Sequence, residues 1–280
     1  PIAAELTGKV PVAYFSDATF SLMADYNLGL RRLAGPLKKS AHAIESRCLQ
    51  EAAISFLPSD WARNSALRDH GGDPNRVVVV PWGANMRPQE IVPPEQRSTD
   101  HWRLLFVGTD WVGKGGDIAL DTVAELRRRG YSVHLDVVGS APPEPRQVEG
   151  VTFHGFLDKR NEEQRKRLKS LFREAHMFFL PTRSEALGIV FAEAASYALP
   201  SVSYDTGGIS AMVVDGETGR LAPEGSSAEV FADTLSGLMD DRETYLRMSN
   251  AALRRSEQTL NWPAWARDVR QRVAKAVGAS

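Results

Sequence analysis

Residues 177–200 have the sequence MFFLPTRSEALGIVFAEAASYALP, and this stretch decides the fold class. Its apolar beginning, Met177–Leu180, predicts a short buried strand. After a polar turn that ends at Gly188, a second apolar run predicts a helix near 188–198. A strand that passes directly into a helix is one unit of a parallel α/β sheet. The stretch therefore predicts a fold of alternating strands and helices.

The same alternation continues along almost the whole chain. Short runs of β-branched and aromatic residues predict strands, and longer amphipathic runs predict helices. The predicted strands are 10–15, 53–57, 76–81, 102–107, 132–138, 151–156, 177–180 and 201–204. The predicted helices are the end of one at 1–8, then 20–28, 38–51, 60–70, 116–130, 161–175, 188–198, 227–239, 242–257 and 263–278. This pattern predicts an α/β fold with two Rossmann-like, doubly wound units, the first of them incomplete.

The periodicity is lost between residues 84 and 100, where Pro88, Pro93 and Pro94 stand among polar residues. Such a segment predicts a linker between domains. The predicted parts are a partial N-terminal domain at 1–97 with its linker at about 84–100, a second domain at 98–262, and a terminal helix at 263–280 that packs back toward the first domain. Because the chain begins with Pro1 inside an element, we expect it to be a fragment of a longer protein.

The composition is that of an ordinary globular protein, and it excludes several functions. The chain has 34 Lys and Arg and 35 Asp and Glu, which gives a formal charge of -1. It therefore lacks the excess of basic residues that nonspecific binding to nucleic acid requires. Cys48 is the only cysteine, so no internal disulfide or thiolate metal site is available, and a cytoplasmic location is expected. The six histidines lack metal-ligand spacing, and no apolar run is long enough to span a bilayer. We predict no metal site and no transmembrane segment.

A glycine-rich turn follows the predicted strand at 102–107. Gly108–Lys114 fits the pattern Gly-x-x-x-x-Gly-Lys of phosphate loops, but Gly115 stands where Ser or Thr should hold magnesium. Free N–H groups at a helix start, with a mobile lysine beside them, can bind phosphate without that metal. The alternative is an ordinary strand-to-helix turn with an exposed lysine, and the motif alone does not separate the two.

Two glutamates in the deciding stretch are candidates for a ligand site. Between Glu185 and Asp205 the only charged residue is Glu193, which stands in an apolar helix. An unpaired carboxylate there costs several kcal/mol, so it should have strong partners, and a ribose diol offers two hydroxyl donors. The alternatives are an interior salt bridge for Glu193 and a helix-dipole contact for Glu185.

These residues resemble a known family. Glu193 follows Glu185 after seven intervening residues, Gly188 lies between them, and Leu199-Pro200 and Asp205–Ile209 come next. This block is similar to that of the retaining GT-B glycosyltransferases of group 1 (family 4). Further blocks that match are Ser59–Ala62, Val80–Gly83, Val107-Gly108 with Lys114-Gly115, Val151–Phe156 and Val213–Pro223. The resemblance covers nearly the whole chain and implies the GT-B fold, which is a pair of Rossmann-like domains.

The resemblance also implies roles for residues. The donor would be a nucleoside-diphosphate sugar, with no tightly bound cofactor and no metal, and the anomeric configuration of the sugar would be retained. The implied diphosphate-binding residues are Gly108, Lys114, Leu187, Gly188 and Ile189; Glu193 would bind the ribose, Glu185 would be catalytic, and backbone at Phe156 and Leu157 would border the nucleobase. The acceptor would be a carbohydrate, a lipid or a small molecule, and peripheral contact with a membrane is compatible with it.

Two departures from the family qualify this interpretation. Thr109 stands where the family usually places a phosphate-binding Arg. The family's N-terminal Gly-rich loop and a His-containing loop would precede Pro1, so we expect donor binding to survive better than turnover. The alternative functions are a non-catalytic module that binds a nucleotide sugar and a GT-B nucleotide-sugar epimerase.

Overall fold

The computed structural model describes residues 2–26, 30, 32–88, 90–144 and 148–278. In this part of the chain the strands form two sheets, one of three strands and one of six, and every strand pairing is parallel. A helix lies between most pairs of successive strands within each sheet, as is usual for parallel pairing. Both sheets are therefore built from the strand–helix units that the sequence predicts.

The elements are as follows. The strands are β1 Ala13–Phe15, β2 Ile54–Leu57, β3 Val77–Val79, β4 Trp102–Gly108, β5 Val133–Gly139, β6 Val151–Phe153, β7 Met177–Phe179, β8 Ser201–Tyr204 and β9 Gly219–Ala222. The helices are α1 Ile2–Leu6, α2 Phe20–Tyr26, α3 Gly35–Glu51, α4 Asp60–His70, α5 Gly116–Arg128, α6 Glu162–Glu174, α7 Ile189–Ser196, α8 Ala228–Asp240, α9 Arg242–Gln258 and α10 Trp262–Ala276. Short 3-10 turns lie at Pro94–Gln96 and Ile209–Ala211.

The larger sheet has the strand order β6-β5-β4-β7-β8-β9. Counted from its own first strand this order is 3-2-1-4-5-6, which is the Rossmann order. The main apolar core surrounds this sheet, because its central strands are buried on both faces. The order reverses between β4 and β7, so the loops after these two strands diverge and leave a crevice where ligands bind in such folds.

The smaller sheet has the order β1-β2-β3. Its strands are short, and one face packs on α4 and on Leu49 from the end of α3. Its other face contacts the last helix: Trp265, Val269 and Val273 of α10 pack against Ile54, Phe56 and Val80. The chain thus returns from the larger sheet to the smaller one at its end.

The proline-containing segment after β3 lies against the larger sheet. Buried Arg97 donates hydrogen bonds to the carbonyl oxygens of Tyr197 and Ala198 at 2.6 and 3.1 Å. His176, just before β7, donates from Nε2 to the carbonyl of Ser98 at 2.7 Å and accepts at Nδ1 from the N–H of Arg103 at 3.0 Å. Burial lowers the pKa of His176 to about 4, so the imidazole is neutral near pH 7. These bonds fix the course of residues 97 and 98.

The structure corrects some predicted boundaries and adds one strand. The third helix begins at Gly35 instead of residue 38, the strand predicted at 151–156 ends at Phe153, and β9 was not predicted at all. β9 has the sequence GRLA, which has no β-branched residue, so only its pairing with β8 makes it a strand. Residues 27–28 of the predicted helix 20–28, residue 1 of the helix end at 1–8, and residues 279–280 of the terminal segment lie outside the described residues.

The described residues contain neither a membrane-spanning helix nor a cluster of metal ligands. None of their helices combines the length and the apolar character that crossing a membrane requires. Their His, Cys, Asp and Glu side chains nowhere gather in threes as a metal site would need.

Candidate active site

Most of the predicted site residues follow the two strands between which the strand order of the larger sheet reverses. The loop after β4 carries Lys114, and the loop after β7 carries Glu185. The two loops are joined by backbone: the N–H of Arg183 donates to the carbonyl of Gly113 at 2.8 Å. A side chain at Gly115 would overlap the carbonyl oxygen of Pro181, and its φ of 71° is in the left-handed region, so glycine allows this close approach.

Lys114 and Glu185 form an ion pair at this junction. Lys114 Nζ lies 2.7 Å from Glu185 Oε2 and donates to the carbonyl of Ser184 at 3.3 Å. Their side chains are 22% and 18% exposed, so the pair is mostly sheltered from water. The lysine is therefore not the freely exposed side chain of the alternative interpretation. The residue predicted to bind the diphosphate and the residue predicted to be catalytic are in direct contact.

Helix α7 begins beside this ion pair. Gly188 precedes it with φ 77° and ψ 59°, and no side chain caps its start among the residues the structure describes. The first N–H groups of a helix have no intrahelical partner and attract anions. Leu187 is buried and Ile189 half-buried at this point. The arrangement can hold a phosphate between the start of α7 and Lys114.

Glu193 lies one turn inside α7 and is 2% exposed. Lys159 Nζ donates to both of its carboxylate oxygens, at 2.8 and 3.0 Å. Glu193 is therefore not unpaired: it forms the salt bridge of the alternative interpretation. Burial raises the pKa of the Glu193 carboxyl, and the charge of Lys159 opposes that rise. Because the Lys159 side chain is 48% exposed, the carboxylate becomes accessible if that side chain rotates away. The ribose-binding role of Glu193 stays a prediction.

The loop after β6 brings Phe156 and Leu157 to the same edge of the sheet. The N–H of Gly139, the last residue of β5, donates to the carbonyl of Gly155 at 2.8 Å. Phe156 is 66% exposed, whereas Leu157 packs on the main core. Lys159 belongs to this loop as well. The exposed ring of Phe156 at this edge is suited to stack on a base.

Sequence reasoning missed two cations at this edge. Lys159 is 34 residues from its partner Glu193, so no local motif joins them. Arg183 forms a bidentate pair with Asp117 at 2.7 and 2.8 Å and also donates to the carbonyl of Val112. Thr109, in the place of the family's arginine, is exposed. Arg183 is thus a second cation beside the loop that carries Lys114, held through the start of α5.

The smaller sheet meets the larger one next to Glu185. The N–H of Gly208 donates to the carbonyl of Glu185 at 3.3 Å. A side chain at Gly208 would approach Ser59 Oγ to 3.1 Å, and Ser59 caps the start of α4 by accepting from the N–H of Ala62 at 3.2 Å. The ion pair of Lys114 and Glu185 therefore lies near the boundary between the two sheets.

Solved structures of other proteins share the fold described above. In overall fold the chain is similar to sucrose-phosphate synthase from Thermosynechococcus elongatus, with a TM-score of 0.70, 19% identity, and coverage of 96% of this chain and 68% of that one. It is also similar to HepE (Alr3699) of Anabaena in complex with UDP and glucose, with a TM-score of 0.69, 16% identity, and coverage of 95% and 72%. The fold is GT-B, as the resemblance predicts.

The family follows from the sequence profile described as glycosyl transferases group 1, which matches residues 101–241. The chain belongs to this family, and the predicted membership of glycosyl transferases group 1 is confirmed. It is similar to a D-inositol 3-phosphate glycosyltransferase of Corynebacterium efficiens, with 27% identity over an alignment of 254 residues, and the match covers 82% of this chain and 58% of that protein. The chain thus spans a little over half the length of that relative.

Proposed function

We propose that this chain binds a nucleoside-diphosphate sugar and transfers the sugar to an acceptor hydroxyl with retention of the anomeric configuration. The observation that carries the proposal is the Lys114–Glu185 ion pair at the start of α7, at 2.7 Å. It combines a cation, which can neutralise the leaving diphosphate, with a carboxylate, which can contact the transferred sugar. HepE, which has a similar fold, was solved with UDP and glucose, and this supports a donor of that class.

In the proposed reaction the donor diphosphate replaces Glu185 as the partner of the Lys114 ammonium group. The N–H groups of Leu187, Gly188 and Ile189 and the backbone of Gly108 would complete the phosphate site. Negative charge grows on the phosphate oxygen as the bond to the anomeric carbon breaks, and the ammonium group and the helix dipole stabilise it. Stabilisation of developing charge is the main contribution that this arrangement can make to the rate.

The acceptor oxygen would bond to the anomeric carbon on the face that the diphosphate leaves. The proton of the acceptor hydroxyl passes to the departing phosphate oxygen, so the products are the glycosylated acceptor and a nucleoside diphosphate. Glu185, released from Lys114, would contact the transferred sugar. Retention is supported by the resemblance of the Glu185–Glu193 block to retaining enzymes.

The domains would divide these tasks. We propose that residues 98–262 hold the donor, that residues 1–97 face the acceptor, and that 263–280 ties the two together. Support comes from the position of the ion pair near the boundary of the sheets and from the packing of Trp265 on Phe56 and Val80. The acceptor, whether a carbohydrate, a lipid or a small molecule, would enter beside Ser59.

Two variants separate binding from catalysis. Lys114→Ala should weaken binding of uridine diphosphate by about tenfold or more and leave uridine binding unchanged, because only the diphosphate loses a charged hydrogen bond. Glu185→Gln should keep that binding but lose transfer, because Lys114 becomes free while the sugar loses its carboxylate. Arg167→Ala, an exposed change on α6, is the control.

Titration calorimetry with uridine, guanosine and adenosine diphosphates gives the affinities, and proton NMR of the product gives its anomeric configuration. Equal losses for uridine and uridine diphosphate in Lys114→Ala would contradict the diphosphate site. Binding of the donor without transfer in the unaltered chain would favour the non-catalytic module, and an epimer formed from donor alone would favour the epimerase.

A further inference from the structure

A second, separate cavity lies between α6 and the segment that follows β3. It has a volume of about 430 Å³. Its lining residues are Pro88, Glu90, Lys166, Lys169, Ser170, Arg173 and Tyr197. None of the residues predicted to bind the donor lines it. It is therefore a different place from the crevice of Lys114 and Glu185.

The cavity is basic. Lys166, Lys169 and Arg173 lie three and four residues apart on α6, so they share one face of that helix. Lys166 pairs with Glu162 on the open surface at 2.9 Å, where such a pair contributes little. In the described ranges neither Lys169 nor Arg173 forms an ion pair with a carboxylate. Glu90, the one acidic residue of the lining, is exposed. Three cations against one carboxylate favour an anionic occupant.

Tyr197 adds a hydrogen-bond donor that has no acceptor. The residue is 2% exposed, and in the part of the chain that the structure describes its hydroxyl has no hydrogen-bond partner. Its ring stacks on Phe172 with centroids 5.2 Å apart, and its carbonyl accepts from Arg97 at 2.6 Å, so its position is fixed. Burial raises the pKa of the phenol, which keeps the proton needed for donation. Buried tyrosine hydroxyls normally have a partner, so this one indicates a missing acceptor.

We propose that this cavity binds a small phosphate-bearing anion. Lys169 and Arg173 would contact the phosphate oxygens, the hydroxyl of Tyr197 would donate to one of them, and Lys166 would contribute at the rim. Because Pro88 and Glu90 form the opposite wall, the bound anion would fasten the segment after β3 to α6. The site would then respond to a phosphorylated metabolite independently of the donor.

Titration calorimetry with sodium pyrophosphate tests the proposal. The measurement is made on a Lys114→Ala chain, so that the donor crevice does not contribute. We expect the added changes Lys169→Ala and Arg173→Ala together to weaken binding by about tenfold or more, because two charged hydrogen bonds are lost. Arg167→Ala, which removes the same charge from α6 outside the cavity, should leave the affinity unchanged.

Tyr197→Phe tests the donor group alone. It should weaken pyrophosphate binding by about threefold to tenfold. Without pyrophosphate its thermal stability should be unchanged or higher, because removing an unsatisfied buried hydroxyl relieves its desolvation. If the hydroxyl of Tyr197 had only a structural role, its removal would not weaken pyrophosphate binding while leaving the thermal stability unchanged or higher.

Several results would overturn the proposal. One is pyrophosphate affinity that survives the double change at Lys169 and Arg173, and another is an equal loss in Arg167→Ala, which would indicate diffuse attraction. A third is binding to phosphatidylglycerol vesicles that depends on these residues while pyrophosphate itself does not bind. Pyrophosphate binding that Lys114→Ala abolishes would place the anion in the donor crevice, which would support the proposed function and refute this one.

Discussion

Replacing Lys159 by methionine should tighten the binding of uridine diphosphate. Lys159 Nζ lies within 3.0 Å of both oxygens of Glu193. A ribose diol can reach that carboxylate only by displacing the ammonium group. Methionine keeps most of the apolar stem and removes the charge. The variant should therefore bind ribose without the cost of breaking an ion pair.

The magnitude follows from the burial of the pair. Removing one partner from a fully buried ion pair costs about 3–5 kcal/mol. Glu193 is buried, but the Lys159 side chain is 48% exposed and water screens it. We therefore expect the chain without nucleotide to lose about 1–2 kcal/mol of unfolding free energy. Ribose hydroxyls would restore hydrogen bonds to the carboxylate, so the affinity should rise by about tenfold.

The loss of stability should depend on pH. Burial raises the pKa of Glu193 above its ordinary value, and the charge of Lys159 limits this rise. A carboxyl with a raised pKa in the folded protein stabilises the fold at low pH, and this stabilisation is lost as the pH rises through the folded value. Without Lys159 the pKa rises further. The cost of the substitution should then be larger at pH 7 than at pH 5.

Calorimetry on Lys159→Met, Glu193→Gln and the double variant measures the affinities, and urea unfolding at both pH values measures the stabilities. Arg160→Met is the control, since this neighbour in the same loop pairs only with Asp158 among the described residues. Weaker binding in Lys159→Met would mean that the lysine contacts the nucleotide itself. Unchanged affinity in both single variants would remove Glu193 from the site.

Three further predictions concern the frame around the site. Gly188→Ala should lower the unfolding free energy by about 1–2 kcal/mol or more and weaken nucleotide binding, because its φ is left-handed and the new Cβ would lie 2.5 Å from the ring of Phe191. Gly130→Ala, also left-handed but with open space around it, should cost less in the same urea titration. Gly83→Ala should displace the start of α10, because its Cβ would overlap the backbone nitrogen of Trp262; unaltered tryptophan fluorescence would contradict this. Because burial lowers the pKa of His176 to about 4, the unfolding free energy should fall by about 2 kcal/mol from pH 7 to pH 5. His176→Asn should reduce this pH dependence. An identical pH dependence in the variant would show that His176 is not responsible.

Much of the fold could be predicted because its signals are local. Apolar runs such as Phe178-Phe179 fix a strand, and Ser59 with Gly71 at the two ends of α4 fixes a helix, because caps and periodicity act within a few residues. β9 has no such signal. Its four residues form a strand because β8 offers them a hydrogen-bonding partner, which is a property of the assembled sheet.

The candidate site divides in the same way. The sequence marked Lys114, Glu185, Gly188 and Glu193 as residues of interest, since a lone charge in an apolar run and glycines at a helix start are visible without a structure. It did not show which of them touch. Whether Lys114 would be exposed or paired, and whether Glu193 would be paired with a cation, were open alternatives.

By itself the sequence determined the alternation of strands and helices, the family and the chemical types of the site residues, because short-range patterns and residue identity suffice for these. Only the tertiary structure decided that Lys114 pairs with Glu185 and that Lys159 pairs with Glu193 from 34 residues away. It also decided that Tyr197, whose hydroxyl has no hydrogen-bond partner among the described residues, lines a basic cavity. These depend on strand order and on the packing of distant segments. Ion pairs and cavities form between elements that meet only when the core closes, so no local pattern encodes them.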